Sequence, residues 1–175
     1  GGQVMRYTLK TFFLLLGLGS FSMAQWSQQA KLVASDAAAS DYFGRSVSIS
    51  GDYKIVGAHQ DDDAGSASGS AYIFKRDGTS WSQQAKLTAD DAAEYDNFGI
   101  SVSIDGDYAI VGAYGDDDGG SWSGSAYIFI RSGTSWSQQA KLVADDAAAS
   151  DYFGNSVSIS GDYAIVGAYQ DDDGG

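Results

Sequence analysis

The phrase Trp-Ser-Gln-Gln-Ala-Lys-Leu opens at Trp26, at Trp81 and again at Trp136, so the chain repeats with a period of 55 residues. Residues 26–80 and 81–135 agree at 41 of 55 positions without a gap, and a third copy occupies 136–175. Whatever one unit folds into, its neighbours fold into as well, and a unit too small to bury its own apolar face must bury it against the next copy. The third copy stops at Gly175, in the loop where the first two continue into Ser-Gly-Ser-Ala-Tyr-Ile-Phe; it reads as the front part of a longer protein.

Each copy carries four short runs with strand character, separated by Gly, Asp and Ser clusters. In the first copy these are 26–32, 43–50, 53–58 and 70–75. Val47 and Ile49 alternate with Ser46, Ser48 and Ser50, whereas Ala71-Tyr72-Ile73-Phe74 is continuously apolar, as a strand covered on both faces would be. Asp105-Gly106, Ser50-Gly51 and Ser160-Gly161 lie between apolar runs and favour a two-residue hairpin. Such a turn puts Ile100, Val102, Ile104, Ala109, Val111 and Ala113 on one face, which can pack on a neighbouring unit. In the first copy that face also holds Arg45 and Lys54, so its cover is less complete. The expected fold is all-β: β-propeller blades of four antiparallel strands, one per 55-residue repeat, in an incomplete propeller.

Composition limits the partners. The formal net charge is -13, so the chain repels phosphate backbones and anionic membrane surfaces; nucleic acid is excluded. There is no cysteine, hence no disulfide and no thiol nucleophile. His59 is the single histidine, and its counterparts are Tyr114 and Tyr169, so no general base recurs. The chain reads as non-enzymatic.

After residues 1–4, which precede the first methionine, the order basic (Arg6, Lys10), apolar (12–18) and small (Ser22, Ala24) predicts a secretory signal peptide over 5–24, cleaved after Ala24. The apolar part is too short for a membrane span. The mature chain is thus expected outside the cytoplasm: secreted, at the cell surface or in the periplasm, without a transmembrane segment.

Phe43-Gly44 followed by Gly57-Ala58, repeated as Phe98-Gly99 with Gly112-Ala113 and Phe153-Gly154 with Gly167-Ala168, resembles the FG-GAP repeat of integrin α-subunit propellers and exported bacterial proteins. The proline that closes the family motif is replaced by His59, Tyr114 and Tyr169. The resemblance implies a propeller whose innermost strand starts near Phe-Gly, and a 26–32 strand that completes the last blade. Further sequence or self-association would cover the open edge. It also implies cell adhesion through a protein or glycan ligand; a purely structural repeat segment of a larger surface protein is the alternative. A glycosidase-type propeller ranks third, since Asp77-Gly78-Thr79-Ser80-Trp81 is similar to a sialidase Asp-box but one residue short.

In an up-and-down meander the long loops, 34–42 and 59–69 in the first copy, emerge at one end, which gathers carboxylates. No cofactor is required by the sequence; calcium is the candidate that this end offers. The loop that carries calcium in integrin-like repeats is cut here to Ser50-Gly51-Asp52 or Asp105-Gly106-Asp107. The candidate ligands are instead Asp61 and Asp63, Asp116 and Asp118, and Asp171 and Asp173, with Ser66 and loop carbonyls, set against a solvated acidic loop. Binding-face candidates are His59, Tyr114, Tyr169 and Trp122, the last replacing Ala67 within an otherwise repeated frame.

Overall fold

Period-two alternation interrupted by Gly-Asp turns produces a series of antiparallel meanders. The computed structural model describes residues 4–13 and 22–172. The strands are β1 (Val4–Phe13), β2 (Ser22–Leu32), β3 (Val47–Ser50), β4 (Tyr53–Ala58), β5 (Ser70–Asp77), β6 (Ser80–Leu87), β7 (Ser101–Asp105), β8 (Tyr108–Ala113), β9 (Ser125–Ser132), β10 (Ser135–Leu142), β11 (Phe153–Ser160) and β12 (Tyr163–Ala168). They form a four-stranded sheet β3-β4-β5-β6, its copy β7-β8-β9-β10, the pair β11-β12 and the pair β1-β2. The all-β fold with a four-stranded sheet every 55 residues is as expected; the described residues do not close a ring.

Two details differ from the expected strands. The run 43–50 is strand only from Val47 in the first copy, because Phe-Gly is a bulge: both Gly44 and Ser46 bond Gly57, by Gly44 N–H to its carbonyl (3.0 Å) and by its N–H to Ser46 (2.9 Å), with Gly44 at φ 93°. Strand β2 pairs with β1, Trp26 opposite Leu9 and Leu32 opposite Val4, while the equivalent phrases of the next two copies, β6 and β10, complete the four-stranded sheets of the copies before them. The expected leader at 5–24 includes residues 14–21, which lie outside the described residues.

The hairpin turns place Gly51 and Gly106 first, at φ 52° and 56°, which suits a glycine-led two-residue turn. In the second sheet, Val102 pairs with Val111 and Ile104 with Ala109, so their side chains share a face with Ala113. That face packs on Ile55, Ala71 and Ile73 of the first sheet to form the main core. Ile100 stands outside this core. Burying each larger aliphatic side chain here contributes about 1.5–3 kcal/mol before entropy is subtracted. On the first sheet's opposite face Lys54 is buried beneath the Trp81 ring, while Val47 and Ile49 stay 55% and 58% exposed.

The serines between the apolar residues point to the next sheet. Ile104 N–H donates to Ser48 Oγ (3.2 Å), and Ile159 N–H to Ser103 Oγ (3.2 Å), so an edge N–H of β7 and one of β11 are satisfied by hydroxyls of the preceding sheet. The Phe-Gly and Gly-Ala glycines meet across the same boundary. A Cβ on Gly57 would lie 1.9 Å from the Gly99 carbonyl oxygen, and one on Gly112 would lie 1.9 Å from that of Gly154. Ser46 and Ser101 hydroxyls donate to those same carbonyls, at 2.8 and 2.7 Å. The family-like motif is therefore a backbone-on-backbone contact between successive sheets.

Candidate functional site

At the long-loop end, successive loops are tied by parallel backbone bonds: Tyr95 N–H to Ser66, Asn97 to Ala67 and Phe98 to Ser68, at 2.8–3.0 Å, repeated by Ser150, Tyr152 and Phe153 on Ser121, Trp122 and Ser123. Two arrays of side chains rest on this frame.

The first is a carboxylate cage in each complete sheet. Asp61, only 4% exposed, accepts from Tyr72 Oη (2.8 Å) and Ser70 Oγ (3.2 Å); Asp116 accepts from Tyr127 Oη (2.8 Å) and Ser125 Oγ (2.9 Å). Asp36 and Asp63 complete one triad, Asp91 and Asp118 the other, with one oxygen of each residue within 4.8 Å of the others. A lysine ammonium sits in the centre. Lys86 Nζ lies 2.8 Å from Asp36, 3.2 Å from both Asp61 oxygens and against Asp63. Lys141 Nζ repeats this with Asp91 (2.8 Å), Asp116 (2.8 Å) and Asp118 (2.5 Å).

Electrostatics follow the geometry. Burial alone would raise the Asp116 carboxyl, but Lys141 and Tyr127 hold it below the ordinary value. Burial likewise opposes the charge on Lys86 and Lys141, yet the surrounding carboxylates push both well up, so both are ammonium ions. The donor set fits a cation, and the chain itself supplies one; calcium would have to displace an ammonium to reach all three carboxylates.

Asp61 and Asp63 are thus brought together, as are Asp116 and Asp118. Sequence reasoning missed their shared partner lysine, although it recurs at 55-residue spacing in Ala-Lys-Leu, and the third carboxylate from the preceding loop. Ser66 is not in the cage; its carbonyl serves the inter-loop ladder, and Ser70 makes the hydroxyl contact instead. Asp171 lies at the corresponding exposed loop, and Asp173 lies outside the described residues. The shortened loop between β3 and β4 is a tight turn.

The second array is aromatic. Tyr114 stacks on Trp122 (centroids 5.6 Å, 29°), Tyr152 stacks on Tyr169 (5.3 Å, 27°), and the two pairs meet through Trp122–Tyr152 (5.9 Å) and Tyr114–Tyr152 (5.8 Å). Trp122 is 38% and Tyr169 62% exposed. His59 stands apart, buried and tilted against Tyr42 at 5.5 Å; burial, then the Arg45 guanidinium, lowers its imidazole, which stays neutral. Tyr152 was missed although its first-copy counterpart Tyr42 is also aromatic, because the ring gives way to Asn97 in the second copy and so does not recur in every repeat. Trp122 and Tyr152 hold left-handed backbone, φ 63° and 58°, a conformation that costs a bulky residue about 1–3 kcal/mol.

The family model described as FG-GAP repeat matches residues 26–74, 81–129 and 136–175. No curated protein is similar enough to match the chain.

Proposed function

The chain belongs to the FG-GAP repeat family, and from that premise we propose that it is an exported or cell-surface binding protein, without catalytic activity, whose ligand sits on the long-loop end of its stacked sheets. The observation that carries this reading is the aromatic cluster of Tyr114, Trp122, Tyr152 and Tyr169, set in loops of Gly, Ser and Asp. Rigid aromatic rings supply contact area at small entropic cost, and small polar neighbours supply adaptable hydrogen bonds; binding surfaces of evolved recognition loops use the same mixture.

The family is usually non-catalytic, and the carboxylate cages accord with that. Each cage is filled by a lysine and repeated in successive sheets, as scaffold is, whereas a hydrolytic pair would need one carboxyl free to protonate a leaving group. Calcium is proposed only as a competitor of Lys86 and Lys141 for the same oxygens.

A screen of the folded chain on protein and glycan arrays tests the reading. We expect binding that Trp122→Ala weakens. Uniformly negative arrays would leave the aromatic cluster as packing and favour a structural repeat segment of a larger surface protein.

A further inference from the structure

Resting on the binding role proposed above, the geometry points to one ligand class: we infer that the Tyr114–Trp122–Tyr152–Tyr169 cluster is a stacking platform for the pyranose rings of a neutral glycan.

Three observations select this class. The first is the character of the surroundings. The loop bearing Trp122 reads Gly115-Asp116-Asp117-Asp118-Gly119-Gly120-Ser121 on one side and Ser123-Gly124 on the other, with no aliphatic side chain among them. A protein hot spot sits in a well-packed, fully desolvated pocket, whereas these rings lie on an open surface, with Trp122 and Tyr169 exposed. An aromatic face whose own loop offers carboxylates, hydroxyls and bare backbone, with only small alanines such as Ala147 and Ala149 beside that loop, suits a molecule with apolar C–H faces and a hydroxyl rim.

Charge supplies the second. Nucleobases also stack on such rings, but their phosphates would meet a chain of net charge -13, with Asp117 and Asp118 in the platform's own loop. The same repulsion rejects sialylated, sulfated and uronic glycans. Neutral sugars are unaffected, and their hydroxyls donate well to carboxylates.

The third is where the rings stand in the repeat. Between the first and second sheets the corresponding positions are Ala67 and Asn97, and Asn accepts left-handed backbone readily. Between the second sheet and β11-β12 they become Trp122 and Tyr152, which adopt the same backbone at greater cost. The frame folds without these rings, so packing alone does not require them.

That substitution pattern also supplies variants that keep the fold. Trp122→Ala and Tyr152→Asn install side chains that the chain already carries at the equivalent sites. The wild-type chain and both variants would be titrated calorimetrically with neutral oligosaccharides (β-glucan, mannan and galactan fragments) and a sialylated one, with the protein array run in parallel. The expected result is neutral-glycan binding that survives high salt, is weakened about tenfold or more by Trp122→Ala, and is reduced by Tyr152→Asn, with circular dichroism unchanged. Binding to proteins without any glycan, or a preference for the sialylated sugar, overturns the glycan inference and leaves the binding role standing. Neutral-glycan binding that neither variant alters overturns the platform, and no ligand on either array overturns both.

Discussion

Replacing Lys141 by methionine keeps an unbranched side chain and removes the ammonium, leaving Asp91, Asp116 and Asp118 to face one another. One ammonium and one carboxylate at the 2.8 Å separation seen for Asp116 attract by about 6 kcal/mol at an effective dielectric of about 20. Desolvation cancels much of that, and Asp91 and Asp118 are far more exposed than Asp116, so solvent screens their share. The expected net loss is about 2–4 kcal/mol, near the lower range for breaking a buried pair. In a chain of this length it lowers the melting temperature by roughly 5–15 °C. The pH dependence has a definite sign. Asp116 is held below its unfolded value, so its contribution is present above that value and disappears as pH falls through the folded one. The gap between wild type and Lys141→Met therefore closes on acidification below about pH 4. Millimolar calcium should raise the melting temperature of the variant and leave the wild type unchanged, since only the variant has a vacant cage. Thermal and urea melts at neutral and acid pH, with and without calcium, check all of this. A variant as stable as wild type at pH 7, or a gap that persists unchanged into acid, would refute the claim that the lysine is the cage's counter-ion.

Three further outcomes follow from other parts of the molecule. Gly112→Ala puts a methyl group onto the Gly154 carbonyl and should cost about 3 kcal/mol or more, whereas Gly106→Asn, at a left-handed turn open to solvent, should stay within about 1 kcal/mol of wild type; urea midpoints separate the two. Burial, more than the nearby Asp116 and Asp117 charges, raises the Asp96 carboxyl to about 6, so its contribution is complete below its unfolded value and is lost as pH rises through 6. Asp96→Asn, which can still accept from Ala93 N–H, should then stabilise the protein by about 1–3 kcal/mol at pH 8 and by nothing near pH 3, as read from melts across that range. Expressed with its own N-terminus in a secreting host, the chain should yield a product beginning at Gln25; a product retaining Arg6 and Lys10 would remove the export proposal.

Repeat, strand count and sheet stacking were legible because they depend on period and alternation, which copy-to-copy identity makes plain. The apolar face through Val102, Ile104, Ala109 and Val111 follows from a two-residue turn and alternate side chains alone. The acidic end followed from loop polarity, and Asp61 and Asp116 from their triplets. Hidden from the sequence were the polar contacts that join neighbouring units. Lys86 belongs to the phrase that opens the second repeat, yet its ammonium serves the first sheet, so its role is invisible when each 55-residue unit is read by itself. The same holds for Ser48, which reads as a solvent-facing strand residue and in fact accepts from Ile104 of the next sheet. Tyr152 became an aromatic-cluster member only once the ladder to Trp122 had fixed the offset between loops.

The meeting of Gly57 with Gly99, and of Gly112 with Gly154, lets main chains touch near the inner strands, while outer strands β6 and β10 keep full side chains such as Gln84 and Trp136 between them. Layers that are thin at one margin and thick at the other cannot pile up straight; they fan. The missing Cβ atoms thus act as the hinge line of a wedge, and their spacing sets the angle through which each added layer turns. Lengthening such a gene by whole units would preserve that angle, whereas one alanine on the line would splay the fan open.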